Sequence, residues 1–130
     1  MASITREVLI DADPDDVWAA LRDWGELHRR LAPGFVTDTR LDGDDRIVTF
    51  FNGMVLREVL VDRDDAARRI VWSVVDGPYA HHNGSAQVFA AEDGTRFVWI
   101  ADLLPDDLAG HTAESMERGL SVIRQTLEVA

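Results

Sequence analysis

The sequence contains no cysteine. That removes disulfides, thiolate zinc sites and cysteine nucleophiles. Lysine is missing as well: all 13 basic residues are arginine, which excludes Schiff-base chemistry and the lysine of a phosphate-binding loop. Positive charge is scarce against 24 acidic residues, and a net charge of −11 repels phosphate backbones and anionic lipid, so neither nucleic acid nor membrane is an expected partner. No apolar run approaches the ~18 residues of a membrane span. The opening MASITREVLI lacks a basic segment followed by an apolar block and does not read as a signal peptide, which makes a cytoplasmic location the expectation. There is no glycine-rich phosphate loop, serine-nucleophile motif or His-x-x-x-His pair, and no cofactor or metal is expected. The stretch DADPDD opens like a calcium loop, but Asp16 and Arg22 stand where that loop needs glycine and glutamate.

What is present is a chain of 130 residues, 46% apolar with four tryptophans, the size and composition of one globular domain spanning residues 1–130. Ser3-Ile10 reads as a strand. A helix start follows, with Asp13 as N-cap, Pro14 at the first helical position and Asp15 and Asp16 in the first turn. Its apolar face is Val17, Leu21 and either Trp18 or Trp24. Gly25 interrupts it, and ELHRRLA forms a second short helix that Pro33-Gly34 ends. Six strands are expected next, at Phe35-Leu41, Arg46-Phe51, Met54-Asp62, Arg69-Val75, His82-Ala91 and Thr95-Leu103. They are separated by turn sequences that include Asn52-Gly53 and Asp76-Gly77. From Pro105 onward, Leu108, Thr112, Met116, Gly119, Leu120, Ile123 and Leu127 fall on one stripe of a long amphipathic helix. The order β-α-α-β(6)-α describes an α+β fold, with a seven-stranded curved antiparallel sheet around a long C-terminal helix and a cavity between them.

Three segments, DPDDVWAALRD, NGMVLREVLVDRDD and TRFVWIADLLP, occur in this order along the chain. In them the sequence resembles the START-like helix-grip superfamily, in particular polyketide cyclase/dehydrase-like proteins of bacterial type, and more remotely plant hormone receptors and pollen allergens. The resemblance implies a helix-grip fold that binds a small, largely apolar molecule, aromatic or polyketide-like. The implied activity is either a cofactor-independent cyclase, dehydratase or aromatase, or that of a non-catalytic lipid or hydrophobic-ligand carrier. A ligand-gated interaction module using the loops near Asn52-Gly53 and Gly77-Pro78 is a further alternative. Relatives often carry Trp or His before the proline that ends the second helix, where this chain has Leu31 and Ala32. Many place tyrosine at the position of Gly84.

Strand parity assigns faces. With Arg57, Arg69, Arg96, Ser85 and Gln87 outward, the inner face takes Met54, Leu56, Glu58, Leu60, Ile70, Trp72, Val74, His82, Gly84, Ala86, Val88, Phe97, Trp99 and Ala101. Glu58, where relatives also place a glutamate, is a carboxylate among apolar neighbours and must be paired, hydrated or protonated. It is the candidate acid or base; the alternatives are an arginine partner, a wet cavity mouth, or a bulge that turns it away. His82 either joins it in the cavity, where in a catalytic version His82 or Tyr79 would polarise a carbonyl, or caps a hairpin or meets solvent. Adjacent His81 projects to the opposite face, so the pair cannot chelate one metal. Tyr79, the only tyrosine, sits in a loop that can fold over the cavity mouth and donate to a ligand oxygen. Candidate ligand-binding residues are Leu56, Leu60, Trp72, Gly84, Ala86, Phe97, Trp99, Met116 and Leu120. At Gly119 either the helix approaches the sheet closely or the gap is ligand space. His28 and His111 are expected at the surface. The outer face carries Val59, Val61, Val71, Phe89, Val98 and Ile100, an apolar set from which a homodimer is expected.

Overall fold

The computed structural model describes residues 1–128. β1 (Ala2–Ile10) leads into α1 (Pro14–Arg22), where Asp13 caps the helix by accepting from the Asp15 N–H at 2.8 Å. The second short helix is not α-helical. It is a 3-10 turn over Trp24–Glu26 running into a π-type turn over Leu27–Leu31, closed by the Ala32 N–H to the Leu27 carbonyl at 2.9 Å. Then come β2 (Val36–Asp42), β3 (Asp45–Phe50), β4 (Val55–Asp64), β5 (Arg69–Val75), β6 (His81–Ala91) and β7 (Gly94–Leu104). A 3-10 turn at Asp106–Leu108 precedes α2 (Ala109–Glu128).

All seven strands form one antiparallel sheet in the order β1-β7-β6-β5-β4-β3-β2. Bulges between Val36 and Asp38 and between Leu60 and Asp62 bend it. α2 lies in the concave face, burying Thr112, Met116, Gly119, Leu120, Ile123 and Leu127, the residues of the expected stripe apart from half-buried Leu108. This is the helix-grip fold.

The seam between β5 and β6 is the weak point of the sheet. β6 and β7 pair along eleven positions, but β5 and β6 pair along only four, ending at Trp72 opposite Gly84. Beyond that point side chains stand in for the ladder: the Ser73 hydroxyl donates to the His82 carbonyl, and the Val74 N–H donates to His82 Nδ1 at 3.1 Å. The strands separate and the sheet opens toward the loop that carries Tyr79.

On the convex face the apolar set is broken up. Val71 is buried, Val59, Phe89, Val98 and Ile100 are half-buried, and Val61 alone is exposed. The Arg96 guanidinium covers the Phe89 ring at 4.6 Å from its centroid.

Two glycines set how tightly the concave face fills. A Cβ on Gly84 would stand 2.7 Å from Cε2 of Trp72, and one on Gly119 would stand 3.0 Å from Trp99 and 3.1 Å from Phe35. Gly84 therefore leaves no room for a ligand; the Trp72 indole occupies its space. At Gly119 the close approach holds, with aromatic rings seated directly on the helix backbone. Gly84→Ala is expected to destabilise the protein by about 1–3 kcal/mol, the usual range for overpacking. Urea unfolding followed by tryptophan fluorescence measures this, and an unchanged midpoint would show that Trp72 moves aside freely.

Candidate functional site

Between the sheet and α2 lies a cavity in two lobes. The inner lobe is walled by Leu21, Leu27, Leu31, Ala32, Val36, Arg46, Ile70, Ala86, Phe97 and Ile123. The outer lobe is walled by Phe51, Asn52, Met54, Leu56, Val74, Tyr79, His82, Ala101, His111, Thr112, Ser115 and Met116. Phe35, Phe50, Trp72, Trp99 and Glu58 belong to both, so four aromatic side chains and one carboxylate form a waist. Phe35 meets Phe50 edge-on with centroids 5.6 Å apart, and Trp72 and Trp99 lie 6.3 Å apart. Each lobe has a volume of about 70 Å³, room for more than one water. The outer lobe opens between the β3–β4 turn, the Tyr79 loop and the first turns of α2.

Glu58 is 6% exposed and Arg46 is 7% exposed, so both charges are buried. The two residues face each other across β3 and β4. Arg46 Nε and NH2 both reach Oε1 of Glu58 at 2.8 Å, and its NH1 donates to the Trp24 carbonyl at 3.2 Å. The guanidinium carbon sits over the Trp24 ring, 3.6 Å from its centroid. Trp24 is held in turn by its Nε1–H donating to the Asp44 carbonyl at 3.0 Å. Burial lowers the pKa of the Arg46 guanidinium and Glu58 opposes that fall. Of the alternatives for Glu58, the arginine partner is the one realised.

Arg46 went unassigned in the sequence because its face depends on the β3–β4 register. An Asn-Gly pair read as a two-residue turn sets Arg46 opposite Val59, on the outer face. The turn instead holds three residues, Phe51, Asn52 and Gly53, with the Phe50 N–H bonded to the Met54 carbonyl at 2.9 Å. That one-residue difference places Arg46 opposite Glu58. An inward glutamate on one arm of a hairpin was the available signal, because it calls for a cation on the neighbouring arm.

His82 is buried and lines the outer lobe, and it also closes the β5–β6 seam. Because Nδ1 accepts the Val74 N–H, the ring proton sits on Nε2. Burial pushes the imidazole down to about 4, neighbouring His81 adds to the fall and Asp102 opposes it. Tyr79 packs its ring 5.0 Å from that of His82, and its hydroxyl shares a hydrogen bond of 2.8 Å with Thr112 Oγ1 on α2. His81 is exposed.

Of the apolar candidates, Trp72 and Trp99 line both lobes, Ala86 and Phe97 the inner lobe, and Leu56 and Met116 the outer lobe. Leu60, Gly84 and Leu120 line neither. Leu60 lies beside Trp24 and Leu41 at a separate surface groove, Gly84 is covered by Trp72, and Leu120 packs in the core. Strand parity for Leu60 and Gly84 and the helical stripe for Leu120 assigned the inner face, but their height along the strand or helix takes them past the void. Phe35 and Phe50 were missed as waist residues. Of the two histidines expected at the surface, His111 is exposed at the cavity mouth, whereas His28 is half-buried with Nδ1 unpartnered.

The chain is similar to solved structures of the same fold. An uncharacterized protein from Bacillus thuringiensis superposes with a TM-score of 0.86 at 18% identity, covering 97% of this chain and 98% of the other. A Thermobifida fusca protein superposes with a TM-score of 0.77 at 26% identity, covering 98% and 91%. Ara h 8.0201 superposes with a TM-score of 0.77 at 14% identity, covering 99% of both chains. The family model described as polyketide cyclase/dehydrase and lipid transport matches residues 1–128. No curated protein matches the chain. No helix among the described residues is long and apolar enough to cross a membrane.

Two predictions follow from this geometry. Arg46→Met alone is expected to cost about 3–5 kcal/mol, because it strands the Glu58 charge, whereas Arg46→Met with Glu58→Leu recovers most of that loss. Equal destabilisation of the single and double variants in urea would show that the pair is not coupled. The second concerns His82, whose folded pKa lies below its ordinary 6.5. The unfolded chain then binds the extra proton first, so the His82 contribution is full above about pH 6.5 and is lost as pH falls toward 4. His82→Asn keeps an acceptor near Nδ1 and does not titrate. Between pH 7 and 4.5 the wild type is expected to lose about 2 kcal/mol more stability than this variant, and equal losses would assign the titration elsewhere.

Proposed function

The chain belongs to the polyketide cyclase/dehydrase and lipid transport family, and on that footing we propose that it binds a small, largely apolar molecule with a flat or aromatic part in the two-lobed cavity. The observation that carries this reading is the waist. Phe35, Phe50, Trp72 and Trp99 surround a void whose inner lobe is mostly apolar and whose outer lobe adds a few polar groups, with Glu58 as the one charged group common to both lobes. Concave, mostly apolar space with a few placed polar groups is the usual form of a small-molecule site. Aromatic faces favour a flat partner through offset and edge-on contact.

Binding without chemistry is favoured over a cyclase or dehydratase activity by what the three candidate catalytic groups already do. Glu58 commits Oε1 to two N–H groups of Arg46, so that oxygen is not free to exchange a proton with a ligand. His82 spends Nδ1 on the Val74 N–H and is held neutral by burial, so it cannot accept a proton there. Tyr79 has its hydroxyl held by a hydrogen bond shared with Thr112 Oγ1. General acid–base work needs at least one of these groups poised to exchange a proton at neutral pH.

The test uses N-phenylnaphthylamine, a neutral apolar fluorophore. Titration is expected to give saturable one-to-one binding with enhanced dye emission and energy transfer from the tryptophans. Met116→Trp, which fills the outer lobe, is expected to abolish binding while circular dichroism stays unchanged. Non-saturating emission, or binding indifferent to that substitution, would remove the cavity as the site.

A further inference from the structure

Resting on that reading of the cavity, we propose that the site selects neutral ligands bearing a hydrogen-bond donor, such as a phenol or alcohol hydroxyl, and rejects carboxylates. A buried arginine in an apolar cavity suggests the opposite at first sight, namely a clamp for an acid. Here three of the arginine's five N–H groups are already engaged, and its side chain lines the inner lobe only, not the outer one. Its Nε and NH2 both go to Glu58 Oε1, its NH1 goes to the Trp24 carbonyl, and its guanidinium carbon sits over the Trp24 ring. The carboxylate, by contrast, is half-used. Oε2 of Glu58 accepts no hydrogen bond from any described residue, and Glu58 lines both lobes at the waist.

The polar function offered to a ligand at the waist is therefore an acceptor with negative character. A hydroxyl or N–H there gains a charge-assisted hydrogen bond, one of the stronger kinds. A ligand carboxylate there meets a like charge in a site with little water to screen it. The hydroxyls of Tyr79, Thr112 and Ser115 do not change the sign of the waist, because they are neutral and line the outer lobe only. His82 adds a donor, since its proton is on Nε2, and so offers a partner to a hydroxyl oxygen or a carbonyl without adding positive charge.

Calorimetric titration with naphthol, naphthalene, methoxynaphthalene and naphthoate at neutral pH tests this, because the four share one ring system and differ in donor and charge. Naphthol is expected to bind about tenfold or more tightly than methoxynaphthalene, and naphthoate more weakly than naphthalene. Glu58→Gln keeps a carbonyl oxygen for Arg46 and turns an amide toward the void, so it is expected to erase the naphthol advantage and admit naphthoate. Naphthoate binding as tightly as naphthol on the wild type, or methoxynaphthalene matching naphthol, would overturn the proposal while leaving the cavity reading intact. Failure of all four to bind, naphthalene included, would remove the cavity reading and this proposal with it. The wild-type series decides the matter even if the substituted protein does not fold.

Discussion

The buried pair of Arg46 and Glu58 is the interaction around which the rest of the concave face is arranged. Two charges out of water are tolerated only with close geometry and further hydrogen bonds, and each requirement ties down a different part of the chain. The pair needs the three-residue turn of the β3–β4 hairpin, since any other register separates the two residues. It needs the Trp24 carbonyl and ring, so the turn after α1 is drawn against the sheet. It also needs Asp44, in the turn between β2 and β3, to hold the Trp24 indole. The segment that follows, Leu27–Leu31, then becomes a wall of the inner lobe. A single electrostatic requirement thus couples the hairpin, the connecting turns and the cavity.

The second determinant is steric. Gly84 on the sheet and Gly119 on α2 carry no side chain where sheet and helix face each other, and large rings occupy both places: Trp72 on the first, Trp99 and Phe35 on the second. This brings the aromatic rings together as a waist, where they would otherwise stand apart at the ends of the cavity. The seam between β5 and β6 completes the arrangement. Because the main-chain ladder stops at Trp72 and Gly84, His82 can turn into the outer lobe while its Nδ1 still satisfies the Val74 N–H. One imidazole both seals the sheet and furnishes the cavity, which explains why it is buried and held neutral.

Much of this was legible beforehand. Asp13 and Pro14 announced α1, the turn dipeptides separated the strands, and the stripe from Thr112 to Leu127 matched the buried face of α2. Parity turned Glu58, Trp72, Ala86, Phe97 and Trp99 inward, because alternation on a strand is local geometry. Arg46 was not legible, since its face is set by how many residues a turn contains. Gly84 read as an opening because sequence shows the missing Cβ but not the indole that covers it. Leu60 and Leu120 were assigned to the right face and the wrong height, as distance along the cavity axis depends on where the sheet bends.

By itself the sequence determined the order of elements, the one-sided apolar patterning of α2 and of the strands, and the inward carboxylate at Glu58. These follow from periodicity and turn chemistry, which act over a few neighbouring residues. The tertiary structure alone decided which cation answers Glu58, that its Oε1 is committed while Oε2 is left open, and that aromatic rings fill the space above two glycines. Those outcomes rest on register, bulges and the approach of α2 to the sheet. Such contacts join residues far apart in the chain, and local pattern carries no record of them.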